Sequence, residues 1–112
     1  MSERVDYAKV APKALQAMLG LEQYVRSSSI EAPLLELIKI RSSQLNGCAY
    51  CLDMHTQDAR AAGEKEQRIY VLSAWREAPF FSERERIALR WTEEVTLLAK
   101  QPPSSEARQA AL

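Results

Sequence analysis

The stretch from residue 47 to 55, Gly-Cys-Ala-Tyr-Cys-Leu-Asp-Met-His, holds both cysteines and the only histidine of the 112-residue chain. If this stretch is helical, Cys48, Cys51 and His55 fall at i, i+3 and i+7 and stack on one face over two turns. Asn46-Gly47 before it can end one helix and cap the next, which places the cysteines at a helix start. A bridge between residues only three apart closes a very small loop and constrains the unfolded chain much less than a long-range staple does. A purely structural disulfide is therefore a poor reason for the pair, and the fold has to be one that presents this helix and packs its inner face.

The flanking sequence supplies helices throughout. Residues 11–26 carry Ala14, Leu15, Met18, Leu19 and Leu21 mostly at spacings of three and four, with Pro12 tolerable in a first turn and Gly20 the only interior breaker. Ser28 and Glu31 fit a capping box for a second helix running to Asn46-Gly47, striped by Leu34, Leu35, Ile38 and Leu45. Leu37 and Ile40 lie off that stripe, so this helix is apolar on more than one side, as for one buried between others or at a subunit contact. The cysteine helix runs from about 48 to 62 and closes at Gly63; its Ala49, Ala59, Ala61 and Ala62 let neighbours approach closely, and Asp53, Gln57, Asp58 and Arg60 form its polar side. Residues 64–75 form a shorter helix with Ile69, Leu72 and Trp75 in line, stopped by Pro79. Ser82 and Glu85 form another capping box, followed by the stripe Ile87, Ala88, Trp91, Val95 and Leu98 up to Pro102-Pro103. Ser104 to Leu112 reads as a capped helix start that runs out of chain, with further C-terminal helices expected beyond it. No segment alternates apolar and polar residues long enough for a strand. The expected fold is an all-α bundle of five to six helices, with 1–112 a single domain.

Fifteen basic and fifteen acidic residues cancel and are interspersed, which leaves no footprint for nucleic acid or an anionic membrane. The apolar runs are too short to span a bilayer, and the charged start lacks the apolar core of a secretory signal. A cytoplasmic, reducing environment is the expectation. At this length the core is adequate but not generous, and an exposed apolar face implies self-association.

Bringing a thiol from about 8.5 to about 7 requires roughly 2 kcal/mol, whereas a helix terminus contributes about 0.3 to 1 kcal/mol. The helix start favours Cys48 more directly, but it is insufficient alone. His55 lies one turn beyond Cys51 on the same face and can take its proton, which singles out Cys51 as the peroxide-attacking sulfur and Cys48 as the resolving thiol. Glu36, twelve positions before Cys48 within the apolar run Leu-Leu-Glu-Leu-Ile-Lys-Ile, would oppose thiol ionisation as a bare neighbour. It makes sense as the partner that orients His55 or relays a proton. Attack on a peroxide O–O bond gives a sulfenic acid, condensation with Cys48 gives a disulfide, and an external dithiol closes the cycle with no bound cofactor.

Two readings stay open on residue types alone. The cysteines can be buried thiols acting as small apolar residues. Alternatively Cys48, Cys51 and His55, with Glu36 or water, can hold zinc, although structural zinc sites usually recruit a second ligand pair and this chain has no other cysteine or histidine to offer. Trp75, Trp91 and Phe80-Phe81 read as core or interface packing.

The pattern Glu36-x11-Cys48-x2-Cys51-x3-His55 resembles the motif of the alkylhydroperoxidase AhpD family, within the wider carboxymuconolactone decarboxylase-like superfamily. The likeness extends over about 33–96, including Ala61-Ala62-Gly63 and Trp91-Thr92-Glu93-Glu94. It implies an all-helical fold, trimers or hexamers, and peroxidase activity fed in AhpD itself by a lipoyl-bearing protein. By position, Glu36 and His55 take proton-relay roles, Cys51 the peroxidatic role and Cys48 the resolving role. Tyr50 stands where AhpD has a second relay histidine, and the chain is shorter than the two-repeat AhpD subunit, which implies a single-motif relative. A cysteine pair at this spacing counts against lactone decarboxylation. The alternatives are a non-catalytic oligomeric or zinc-binding module of the same fold, or a decarboxylase-type lactone enzyme.

Overall fold

The computed structural model describes residues 5–112; the first four, part of the charged start read above, lie outside the described residues. Every regular element among them is helical. Contacts divide the chain into two compact units, one ending at Glu31 and the other spanning Ala32–Leu112.

In the first unit, α1 (Tyr7–Val10) is a single turn capped by Asp6, whose Oδ1 accepts from the Ala8 amide at 3.1 Å. It is the helix the sequence did not reveal, because four residues are too few to display a period. Helix α2 (Pro12–Arg26) begins on Pro12, where a missing amide hydrogen costs nothing, and buries no residue. Met18, Leu19, Leu21 and Tyr24 all remain more than half exposed.

In the second unit, α3 (Ala32–Asn46) packs against both α4 (Ala49–Ala61) and α6 (Glu83–Thr96), while α7 (Ser105–Ala111) lies on α6. Helix α3 starts later than a Ser28 cap would place it. Ser28 instead closes a local turn, its Oγ accepting from the Ile30 amide at 3.4 Å, and Pro33 falls in the first helical turn. Being flanked on two sides, α3 sinks Leu37 and Ile40 completely, whereas Ile38 and Leu45 of the predicted stripe are only half-buried. Leu34 and Leu35 of the stripe are buried too, but it is the two residues off the stripe that join the central core cluster.

The segment after α4 departs from one continuous helix. Helix α5 (Glu66–Tyr70) gives way to a 3-10 turn at Leu72–Ala74, yet Ile69, Leu72 and Trp75 are all buried as expected. Three residues per turn eclipses positions i and i+3, so the tighter winding keeps the same side chains in line. With Leu37, Ile40, Ala59, Phe81 and Leu89 they form one core cluster. Helix α6 starts on the predicted capping box, with both Ser82–Glu85 bonds present. Its fully buried apolar residue is Leu89; of the predicted stripe, Ile87, Ala88 and Trp91 are half-buried, while Val95 and Leu98 at its C-terminal end are 43% and 56% exposed. Similarly, of the four alanines expected to admit close neighbours, only Ala59 is buried. At the C-terminal end Ser104 caps α7 by accepting from the Ala107 amide at 3.1 Å.

Candidate active site

The turn between α3 and α4 is set by Gly47, whose φ of +66° is a left-handed conformation that a side chain would strain. That reversal brings the Cys48 amide back to donate to the Ser43 carbonyl at 3.1 Å. Cys48 is then the N-cap of α4, with extended backbone, and its Sγ accepts from the Cys51 amide at 3.2 Å. Gly63, at φ +96°, ends the helix as predicted. The two cysteines are joined as a disulfide with Cα atoms 5.3 Å apart, and both are half-buried. Tyr50, between them, is 76% exposed and leaves the bridge at the surface.

One turn inward from Cys51, His55 is buried, and so is Glu36 on the facing helix. His55 Nδ1 lies 3.1 Å from Glu36 Oε2. With Glu36 as the acceptor in this bond, the imidazole carries its proton on Nδ1 and keeps the lone pair on Nε2. The acid in the apolar run of α3 and the histidine of α4 therefore meet, across nineteen positions of sequence. Of the four predicted site residues, the structure joins Cys48 to Cys51 covalently, bonds His55 to Glu36, and keeps Cys51 and His55 four apart on one helix.

Asp58 is the residue the sequence reading missed. Assigned there to the polar side of its helix, it sits three positions after His55, and one carboxylate oxygen lies within 4.8 Å of a His55 nitrogen and a Glu36 oxygen. The signal was the His55-x2-Asp58 spacing, which puts both side chains on one face. The metal-ligating set that comes together among the described residues is thus Glu36, His55 and Asp58, without either cysteine.

A second buried carboxylate fixes the frame. Glu93 on α6 accepts from Arg41 Nε at 2.8 Å and Trp75 Nε1 at 3.0 Å, and from Arg76. Burial works to raise its pKa, but the hydrogen bonds from Arg76, Trp75 and Arg41 outweigh it and hold the carboxyl below the usual range. Arg68 donates to Glu85 and Glu64, with its guanidinium over Phe81. The pair ties the start of α5 to the start of α6.

Fold and site together define an all-helical protein that presents a Cys-x-x-Cys disulfide at a helix N-terminus, backed by a buried histidine–glutamate pair. The chain belongs to the carboxymuconolactone decarboxylase family, whose model matches residues 12–94, and within it to the AhpD-like branch. It is similar to the uncharacterised protein YdfG of Bacillus subtilis, 53% identical over 98 residues that cover 88% of this chain and 67% of that protein. A more distant likeness, 25% over 68 residues, is to the uncharacterised YnjA of Escherichia coli, covering 61% of this chain and 37% of the relative. Among solved structures, it superposes with TM-score 0.90 and 42% identity on an Agrobacterium tumefaciens protein of unknown function proposed to be the antioxidant defence protein AhpD. That match covers 98% of this chain and 75% of the other.

Proposed function

We propose that the protein is a thiol-dependent peroxidase and disulfide reductase acting on hydrogen peroxide or small organic hydroperoxides. The observation that carries this reading is the bonded Cys48–Cys51 pair one helical turn from a histidine that Glu36 orients at 3.1 Å. In the reduced protein, His55 Nε2 takes the Cys51 proton, the role of a base whose tautomer a carboxylate fixes. The Cys51 thiolate attacks the O–O bond; its sulfur becomes a sulfenic acid, and the alkoxide or hydroxide leaves with the proton from His55. Cys48, at the N-cap where the Cys51 amide points at its sulfur, is the resolver. Its thiolate displaces hydroxide from the sulfenic sulfur, giving the disulfide and water. An external dithiol, a lipoyl-bearing protein by family analogy, then exchanges with the disulfide and is itself oxidised. No bound cofactor is required.

Several features support this reading over its rivals. The cysteines pair with each other rather than joining the cluster of metal-ligating groups, which disfavours a cysteine–zinc module. A redox disulfide has no part in decarboxylating a lactone. No helix among the described residues is long and apolar enough to cross a membrane, and a reducing cytoplasm would supply the dithiol. The protein works as a homo-oligomer, a trimer or hexamer, built through the apolar surfaces left uncovered on α2 and α6.

Peroxide consumption driven by dihydrolipoamide tests the reading. The native chain is expected to turn over, Cys51→Ser to be inactive, and His55→Ala to lose roughly 10²- to 10⁴-fold, the usual worth of a positioned base. Equal rates in all three would eliminate it.

A further inference from the structure

Helix α4 presents His55 and Asp58 at i, i+3, and α3 presents Glu36 opposite, so three ligand atoms from two helices converge within 4.8 Å. We propose that Glu36, His55 and Asp58 form a binding site for a borderline divalent cation of the zinc class, and that occupancy shuts off the thiol chemistry. One carboxylate from one helix plus a histidine and carboxylate three apart on the next is half of the arrangement by which helical bundles hold metal ions between facing helices.

Donor chemistry selects the ion. An imidazole nitrogen and two carboxylate oxygens suit zinc, whereas magnesium prefers oxygen ligands and retains its waters. Two carboxylates with a neutral imidazole balance the dipositive charge. Donors about 2 Å from one ion lie roughly 3 to 4 Å apart, so small side-chain rotations close the set. Glu36 and His55 are buried and already aligned by their mutual bond, while exposed Asp58 gives the ion its entry side. Water completes the coordination.

The consequence for chemistry follows from the imidazole. A neutral ring has one lone pair to offer. If the ion takes Nε2, the base is blocked directly. If it binds Nδ1 instead, the ring takes up the other tautomer with its one proton on Nε2, which can then no longer accept one. Either way His55 ceases to be a base for Cys51. The inhibition half of the proposal rests on the peroxidase reading; the binding half rests on the geometry alone.

Calorimetric titration of zinc chloride into the disulfide form, whose sulfurs are locked away from the metal, tests the site. One zinc per native chain is expected, with affinity at least about tenfold weaker in Asp58→Asn and His55→Ala, as for loss of one ligand among few. Magnesium chloride is expected to give no comparable isotherm. Circular dichroism of each variant guards against misfolding, and the conservative Asp58→Glu is expected to recover part of the affinity. Absence of saturable binding, or equal affinity in native protein and Asp58→Asn, would overturn the site. Zinc inhibition of peroxide turnover, read against each protein's own metal-free rate, is expected to be weaker in Asp58→Asn. Equal zinc sensitivity would overturn the inhibitory role while leaving the calorimetry to decide the site. A native protein with no turnover at all would sink the peroxidase reading and with it the inhibition.

Discussion

Two buried glutamates show how a carboxylate's surroundings decide its use. Glu93 is enclosed by donors from Arg41, Trp75 and Arg76, a set that holds it ionised and spends it on the frame. Glu36 faces the imidazole of His55, a partner whose own proton can move. Because the Glu93 pKa is held below 4.5 in the folded chain, its contribution is fully present above about pH 4.5 and is lost as pH falls through the depressed value. Glu93→Gln is expected to lower stability at neutral pH by roughly 1.5 to 3 kcal/mol, the worth of hydrogen bonds to a charged group. It should also flatten the acid limb of a denaturation-midpoint against pH series; an unchanged acid limb would place the acid sensitivity elsewhere. The two glutamates were not equally legible in sequence. Glu36 declared itself by its apolar flanks, whereas Glu93, between Glu94 and Thr92 on a polar-looking stretch, gave no sign that three donors would converge on it. Asp58 was hidden for the same reason, since an exposed acid acquires meaning only when the facing helix is in place.

At the level of elements, the breakers and caps were the most readable part. Gly47, Gly63 and the Ser82–Glu85 box are local devices that need no tertiary partner, and each sits where the sequence put it. Faces were read less well. The regular stripe on α6 is half-buried at Ile87, Ala88 and Trp91 and exposed at Val95 and at Leu98 just past the helix, while Leu89, off the stripe, goes fully inward. A period identifies an apolar face but not its neighbour. The 3-10 turn at Leu72–Ala74 was equally invisible, because it keeps the same residues aligned as a helix would. Gly47 is the element-scale position with a functional consequence, since its left-handed turn places Cys48 at the cap. Gly47→Ala is expected to cost about 1 to 2 kcal/mol in chemical denaturation, the penalty of a side chain in that conformation. A variant as stable as the native chain would mean that the turn relaxes without strain.

For the whole molecule, the notable property is apolar surface without cover. Helix α2 has no buried residue, and Val95 on α6 and Leu98 just past its end are exposed. The sequence located this surplus on α3, but packing consumes it there, with Leu34, Leu35, Leu37 and Ile40 all buried. The expectation of assembly is the same and its surface has moved. Sedimentation velocity at micromolar concentration is expected to show a trimer or hexamer, and Leu98→Glu to shift the distribution toward smaller species. A monomer alone would refute assembly. Overall class was legible because helical periods, caps and the Glu-Cys-Cys-His spacing all agree, which is the consistency that makes a fold readable.

These scales meet in one claim, that His55 held by Glu36 draws the proton from Cys51. It is tested most directly by the pH dependence of Cys51 alkylation in the reduced protein carrying Cys48→Ser, with and without Glu36→Gln and His55→Ala. The account predicts that Cys51 reacts with its midpoint well below the ordinary thiol value of about 8.5 when His55 and Glu36 are present, and moves back toward it when either is replaced. Superimposable alkylation profiles in the three proteins would contradict it.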